Sequence, residues 1–202
     1  MHANDSFEIF KFLKKQNLLE DSPKYWWPNA GSFEVVLGAI LTQNTTWSNV
    51  EKSLHNLQGF LELESFLRLS EDELKAKIQP SGFYNQKAPR LLTLAHNIQD
   101  SFTTFEKFQT QVTRKWLLGQ KGIGEESADA ILCYGCFRSE MVVDTYTKRL
   151  LEHFGIAFKK YGEYKAFLEE GIKKHFDEDE YFEVFAAFHG MIVEYNKLKP
   201  FK

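Results

Sequence analysis

Apolar residues along the chain recur at the three- and four-residue spacing of α-helices, and no stretch alternates as a half-buried strand would. Phe7, Phe10 and Leu13 mark a first helix, with Asp5 or Ser6 placed to cap it. Residues 21–32 are rich in turn formers and predict a loop, which carries Tyr25, Trp26, Trp27 and Pro28. Behind Ser32, read as an N-cap, Phe33, Val36, Leu37, Ile40 and Leu41 fall on one helical stripe. The stripe breaks at Gln43-Asn44-Thr45 and resumes with Trp47, Val50, Leu54 and Leu57.

Further on, Ser70 and Glu73 form a capping-box pattern ahead of a short helix that Pro80 ends. The turn Ser81-Gly82-Phe83-Tyr84-Asn85 precedes a helix with Leu91, Leu94, Ala95 and Ile98. A shorter helix is predicted near 105–109, and another leads into Lys121-Gly122-Ile123-Gly124. Two glycines around one apolar residue permit a tight turn into the next helix, on which Ala128, Ile131, Leu132 and Gly135 share a face. Amide groups at such a helix start suit an anion, and phosphate is the obvious candidate. Asp144, 20 residues after Gly124, reads with Thr145 as the cap of a helix ended by Gly155, and two more follow near 161–174 and 178–197. The pattern predicts an all-α fold of about ten helices.

At 202 residues with 15% aromatics, the chain can bury a real core. No apolar run approaches a membrane span, and the N-terminus lacks a signal-peptide pattern, so a cytoplasmic protein without a membrane partner is expected. The net charge of −3 argues mildly against nucleic acid, yet its distribution argues the other way. Residues 77–90 hold three basic residues and 107–124 hold four, with no acid in either segment. Cys133 and Cys136 are too few for a disulfide framework or a four-thiolate metal site.

Four segments in order carry a family resemblance: LTQNT at 41–45, GFYNQKA at 82–88, KGIG followed by VVDTY at 121–146, and FHG at 188–190. Together they resemble the helix–hairpin–helix DNA glycosylase superfamily that includes endonuclease III. The WWPN of 26–29 and the absence of a cluster-binding cysteine set are most similar to 3-methyladenine DNA glycosylase III. The resemblance implies two helical lobes with the active site in the cleft between them. Residues 33–137 would form a six-helix barrel ending in the hairpin, and 1–32 with 138–202 a second helical domain.

It also implies roles. Asp144 would be the catalytic carboxylate, stabilising the positive charge that builds on the sugar as the N-glycosidic bond breaks. Gly122, Ile123 and Gly124 would hold a phosphate, with Lys121 adding charge, and Tyr84, Asn85 and Lys87 would also bind DNA. Phe83, on the turn with Tyr84 and Asn85, would fill the space left by a flipped nucleotide, and Gln43 and Asn44 would bond into that space or to the orphaned partner. Trp26, Trp27, Pro28 and Trp47 would form the base pocket, whose rings attract a cationic alkylated purine such as 3-methyladenine. Double-stranded DNA containing a damaged base is then the partner, the protein a monomer, and a bacterial copy nucleoid-associated. No metal or iron–sulfur cluster is expected, although a monovalent cation on the hairpin carbonyls fits the resemblance.

Glu126 stands where lyase-competent members place the lysine that forms a Schiff base, so a monofunctional glycosylase leaving an abasic site is expected. The alternatives are a bifunctional glycosylase/abasic lyase on oxidised pyrimidines, a hairpin module that binds DNA without catalysis, and a helical protein with no DNA role.

Overall fold

The computed structural model describes residues 5–198, and every regular element among them is helical. The described residues fall into two compact units, one within Met1–Pro28 and Phe137–Lys202, the other Asn29–Cys136. Residues 1–4 and 199–202, assigned from the sequence to the second domain, lie outside the described residues.

The unit Asn29–Cys136 is organised on α2 (Phe33–Leu41), in which every residue but Glu34 is buried. A helix apolar on all sides must sit centrally, because any exposed face would leave apolar surface in water. Phe33 packs edge-on against Phe66 and Phe105, at 5.6 and 5.7 Å between centroids. The other helices are α3 (Trp47–Asn56), α4 (Leu63–Phe66), α5 (Glu71–Ile78), α6 (Tyr84–Phe102), α7 (Phe105–Gln111), α8 (Arg114–Leu118) and α9 (Glu125–Ala130). A π-helical turn, Ile131–Gly135, continues α9 and holds Cys133, which is fully buried. The expected capping box on α5 forms, with Ser70 N–H donating to Glu73 at 2.9 Å. The four-residue α4 escaped the sequence reading because one turn is too short to show a period. Ser32 precedes α2 as expected, but its hydroxyl donates to Asn29 O at 2.7 Å instead of accepting a helix amide.

The other unit combines α1 (Ser6–Lys14) with α10 (Thr145–His153), α11 (Tyr161–Lys173) and α12 (Tyr181–Leu198). Ile9, Leu13, Leu150, Leu168, Phe188 and Ile192 form the centre of its core. A 3-10 turn, Glu178–Glu180, precedes α12, so the helix expected over 178–197 begins only at Tyr181.

Asp5 caps α1 by accepting the Phe7 N–H at 2.6 Å, and Ser6 donates to Leu168 O of α11 at 2.9 Å. Gly171 lets this capped end lie directly on α11. A Cβ there would meet the Ser6 hydroxyl and come within 2.7 Å of Asp5 Oδ1 and 3.1 Å of Phe7 N. Gly171→Ala should therefore cost about 1–3 kcal/mol by overpacking, read in a denaturant melt; a stability equal to wild type would refute the close approach.

Candidate functional site

Asp144 is the N-cap of α10 and divides its two oxygens between two tasks. Oδ1 accepts the Thr147 N–H at 2.7 Å and the Thr147 hydroxyl at 2.9 Å. The same hydroxyl accepts the Asp144 N–H at 3.4 Å, closing a capping box. Oδ2 instead faces His189 Nε2 of α12, 3.4 Å away, and both side chains are largely enclosed, at 14% and 4% exposure. Burial pushes the Asp144 carboxyl up. The neighbouring His189 imidazole, with the Thr147 N–H and hydroxyl, outweighs it and holds the carboxyl below its ordinary value. Asp144 is thus a carboxylate at neutral pH, held by a helix on one oxygen and by an imidazole on the other.

His189 also touches the tryptophan loop. The Trp26 ring stands edge-on to the imidazole, with centroids 5.2 Å apart and planes at 86°. Trp26 adopts a left-handed backbone, φ 65°, which turns its indole onto the bare backbone of Gly190. A Cβ at Gly190 would lie 2.5 Å from Trp26 Cγ, so glycine is required there. One turn further along α12, Glu194 Oε1 accepts the indole N–H at 2.9 Å. Trp26, Trp27 and Pro28 share this unit with Asp144. Trp27 is nearly enclosed, at 7% exposure, so it can wall a pocket but offers no open face, whereas Trp26 and Pro28 are half-buried. Trp47, half-buried, begins α3 in the other unit.

The hairpin lies between α8 and α9. Arg114 of α8 grips Asp129 of α9 through two bonds of 2.6 and 3.1 Å, and Asp129 is fully buried. This bidentate pair fixes one helix on the other. Gly122 needs its glycine, since φ is 89° and a Cβ would come within 2.7 Å of Arg90 Cδ. Gly124 has an extended backbone, and a Cβ there would have no atom within 4 Å, so the protein itself leaves that side open. Lys121, Gly122 and Gly124 are exposed, and Ile123 is buried beneath them. In the same unit Phe83 is 58% exposed and left-handed at φ 50°, Asn44 is exposed with φ 56°, and Asn85 is exposed beside half-buried Tyr84. A large apolar side chain held outward by a strained backbone is the mark of a functional contact more than of core packing.

Comparison with known proteins gives the family. The HhH-GPD superfamily of base excision DNA repair proteins matches residues 37–174. The chain belongs to this superfamily. The HhH-GPD protein is 40% identical over 202 residues to a Methanocaldococcus jannaschii protein assigned as a DNA repair glycosylase, MJ1434, with 96% of this chain and 89% of the other covered. It is 26% identical over 168 residues to endonuclease III of Thermotoga maritima, covering 82% of this chain and 73% of that one. The crystal structure of H. pylori 3-methyladenine DNA glycosylase, MagIII, bound to 1,N6-ethenoadenine, matches with a TM-score of 0.92 at 46% identity, covering 98% of this chain and 100% of that one. The protein is accordingly an all-α DNA repair glycosylase of the HhH-GPD family.

Two expectations about the HhH-GPD site change in the structure. Lys87 does not present its charge to a ligand. It is 2% exposed, and its ammonium donates to Leu41 O at 2.7 Å and Ser81 O at 2.8 Å, tying α6 to the ends of two preceding segments. Gln43 spends its amide N–H groups on Gly122 O and Ser127 Oγ, both at 3.0 Å, so it braces the hairpin. His189 and Glu194 carry contacts that no spacing in the sequence singled out. No helix among the described residues is long and apolar enough to cross a membrane.

Burial pushes the Lys87 ammonium down to about 8. An unfolded lysine keeps its proton up to about 10.4, so the unfolded state binds more protons between those values and stability should rise with pH across that window. Lys87→Met should remove that rise and cost about 1–3 kcal/mol at neutral pH by leaving two buried carbonyls without a donor. Chemical melts at pH 7.5 and 10.5 check both, and a variant as stable as wild type at the lower pH would refute the bracing role.

Proposed function

We propose that the protein is a monofunctional glycosylase that excises alkylated purines, 3-methyladenine foremost, from double-stranded DNA. The observation that carries this reading is the Asp144–His189–Trp26 cluster, in which an ionised carboxylate and an aromatic ring fit to stack on a base share one imidazole. The bond from C1′ to the base nitrogen breaks with its electron pair leaving on the base. The Asp144 carboxylate stabilises the cationic sugar and accepts a proton as water attacks C1′, leaving an abasic site. A cationic base leaves readily, so no strong general acid is demanded.

The hairpin supports DNA binding through the open face at Gly124, where helix-start amides lack intrahelical acceptors. Phe83 and Asn44 are the candidates to occupy the space of a flipped nucleotide. Trp26 and Pro28, in the unit that holds Asp144, are candidates to stack on the base, with Trp27 as a wall. Oxygen donors at the hairpin suit a monovalent cation, although Gly122 O already accepts from Gln43 and Gln120 O from the Ile123 N–H at 3.2 Å. An iron–sulfur cluster would need four thiolates, and the chain has two cysteines, both buried in helix. Glu126, exposed in the first turn of α9, cannot form an imine. The similarity to MagIII, in sequence as in fold, supports the choice of alkylated purine.

Duplex DNA containing 3-methyladenine should release the free base while the strand stays intact until heat or alkali is applied. Strand cleavage without such treatment, or a protein–DNA adduct trapped by borohydride, would overturn the monofunctional reading. Asp144→Asn retains a cap acceptor and should keep duplex affinity while lowering single-turnover base release by about 10²–10⁴-fold; a rate equal to wild type removes Asp144 from the chemistry.

A further inference from the structure

We propose that Glu194 is a specificity-determining residue that makes the Trp26 indole select cationic bases over neutral ones. The inference rests on the reading of Trp26 as a base-stacking residue and adds the charge that tunes it. Glu194 Oε1 accepts the indole N–H at 2.9 Å, and its side chain is only 26% exposed. A carboxylate on the N–H edge pushes electron density into the ring, and an electron-rich ring face holds a cation more strongly than a neutral ring does. Partial burial keeps water from damping the effect.

The indole is also unable to turn away from this partner. Its Cγ is seated on Gly190, and its edge meets His189. Glu194 lies one helical turn beyond Gly190 on α12, so the surface that seats the ring and the carboxylate that polarises it belong to one rigid element. Lys197 opposes the effect. Its ammonium donates to the same Oε1 at 2.8 Å, and with 45% exposure it draws off part of the carboxylate's charge. The pair gives opposite expectations for two substitutions, which a purely structural role for Glu194 does not.

Equilibrium binding of 1-methyladenosine, cationic at neutral pH, and of adenosine, neutral, can be followed by tryptophan fluorescence. Glu194→Gln keeps an oxygen acceptor for the indole N–H but removes the charge. It should lower the preference for the cation about 5- to 10-fold, whereas Lys197→Gln should raise it. An unmoved preference in Glu194→Gln, or the same direction of change in both variants, overturns the proposal. Release of 3-methyladenine from methylated duplex DNA by the wild-type protein tests the glycosylase reading separately. No release alongside an intact charge-dependent preference withdraws that reading and upholds Glu194; release alongside an unmoved preference withdraws Glu194 alone.

Discussion

Asp144 is held in place because its two oxygens are never asked to do the same thing. Oδ1 is committed to the first turn of α10, and Oδ2 to His189. The first commitment is firm because α10 is itself anchored, with Leu150 and Leu151 fully buried in the core. The second is firm because His189 sits between Phe188 and Gly190 on α12, a helix whose apolar residues run through that core. Enclosing a carboxylate ordinarily favours its neutral form, yet the donors around this one reverse the balance and keep it ionised. The protein thus keeps a negative charge on a largely enclosed side chain.

The same helix extends this logic to the tryptophan loop. His189, Gly190 and Glu194 meet Trp26 by edge contact, backbone seat and hydrogen bond in turn. A glycine in mid-helix costs roughly 1 kcal/mol relative to alanine, and here the indole it admits accounts for that cost. In the other unit the hairpin is stiffened by the ion pair of partly exposed Arg114 with buried Asp129, and by the Gln43 amide. A charge as fully enclosed as Asp129 persists only when paired with good geometry, and that pair ties one hairpin helix to the other.

Much of the architecture was legible in the chain. The helices around Leu37, Val50 and Leu94 follow directly from their apolar spacing, the helix after Asp144 from its cap and Gly155, and the Asp5 and Ser70 caps from their place before a helix. Motif order pointed to the superfamily, and Asp144 to a helix start. The misreadings share one cause. Lys87 and Gln43 are polar residues in motifs associated with DNA, and sequence treats a polar residue as outward-facing. Lys87 instead satisfies the buried carbonyl of Leu41, and Gln43 bonds the hairpin at Gly122 O, both on segments distant in the chain. His189 sits on an apolar stretch where a core histidine is the ordinary expectation.

Most of the helices, the Asp5 and Ser70 caps, the glycine hairpin and the family motifs can be read along the chain, because each depends on residues within a few positions of one another. Which way polar side chains point, and which helix meets which loop, is set by packing. Lys87 reaches Leu41, Gln43 reaches Gly122, and Trp26 reaches Glu194 across separations that no local period encodes. Those contacts arise from packing, where each buried donor takes whatever acceptor the fold brings within about 3 Å.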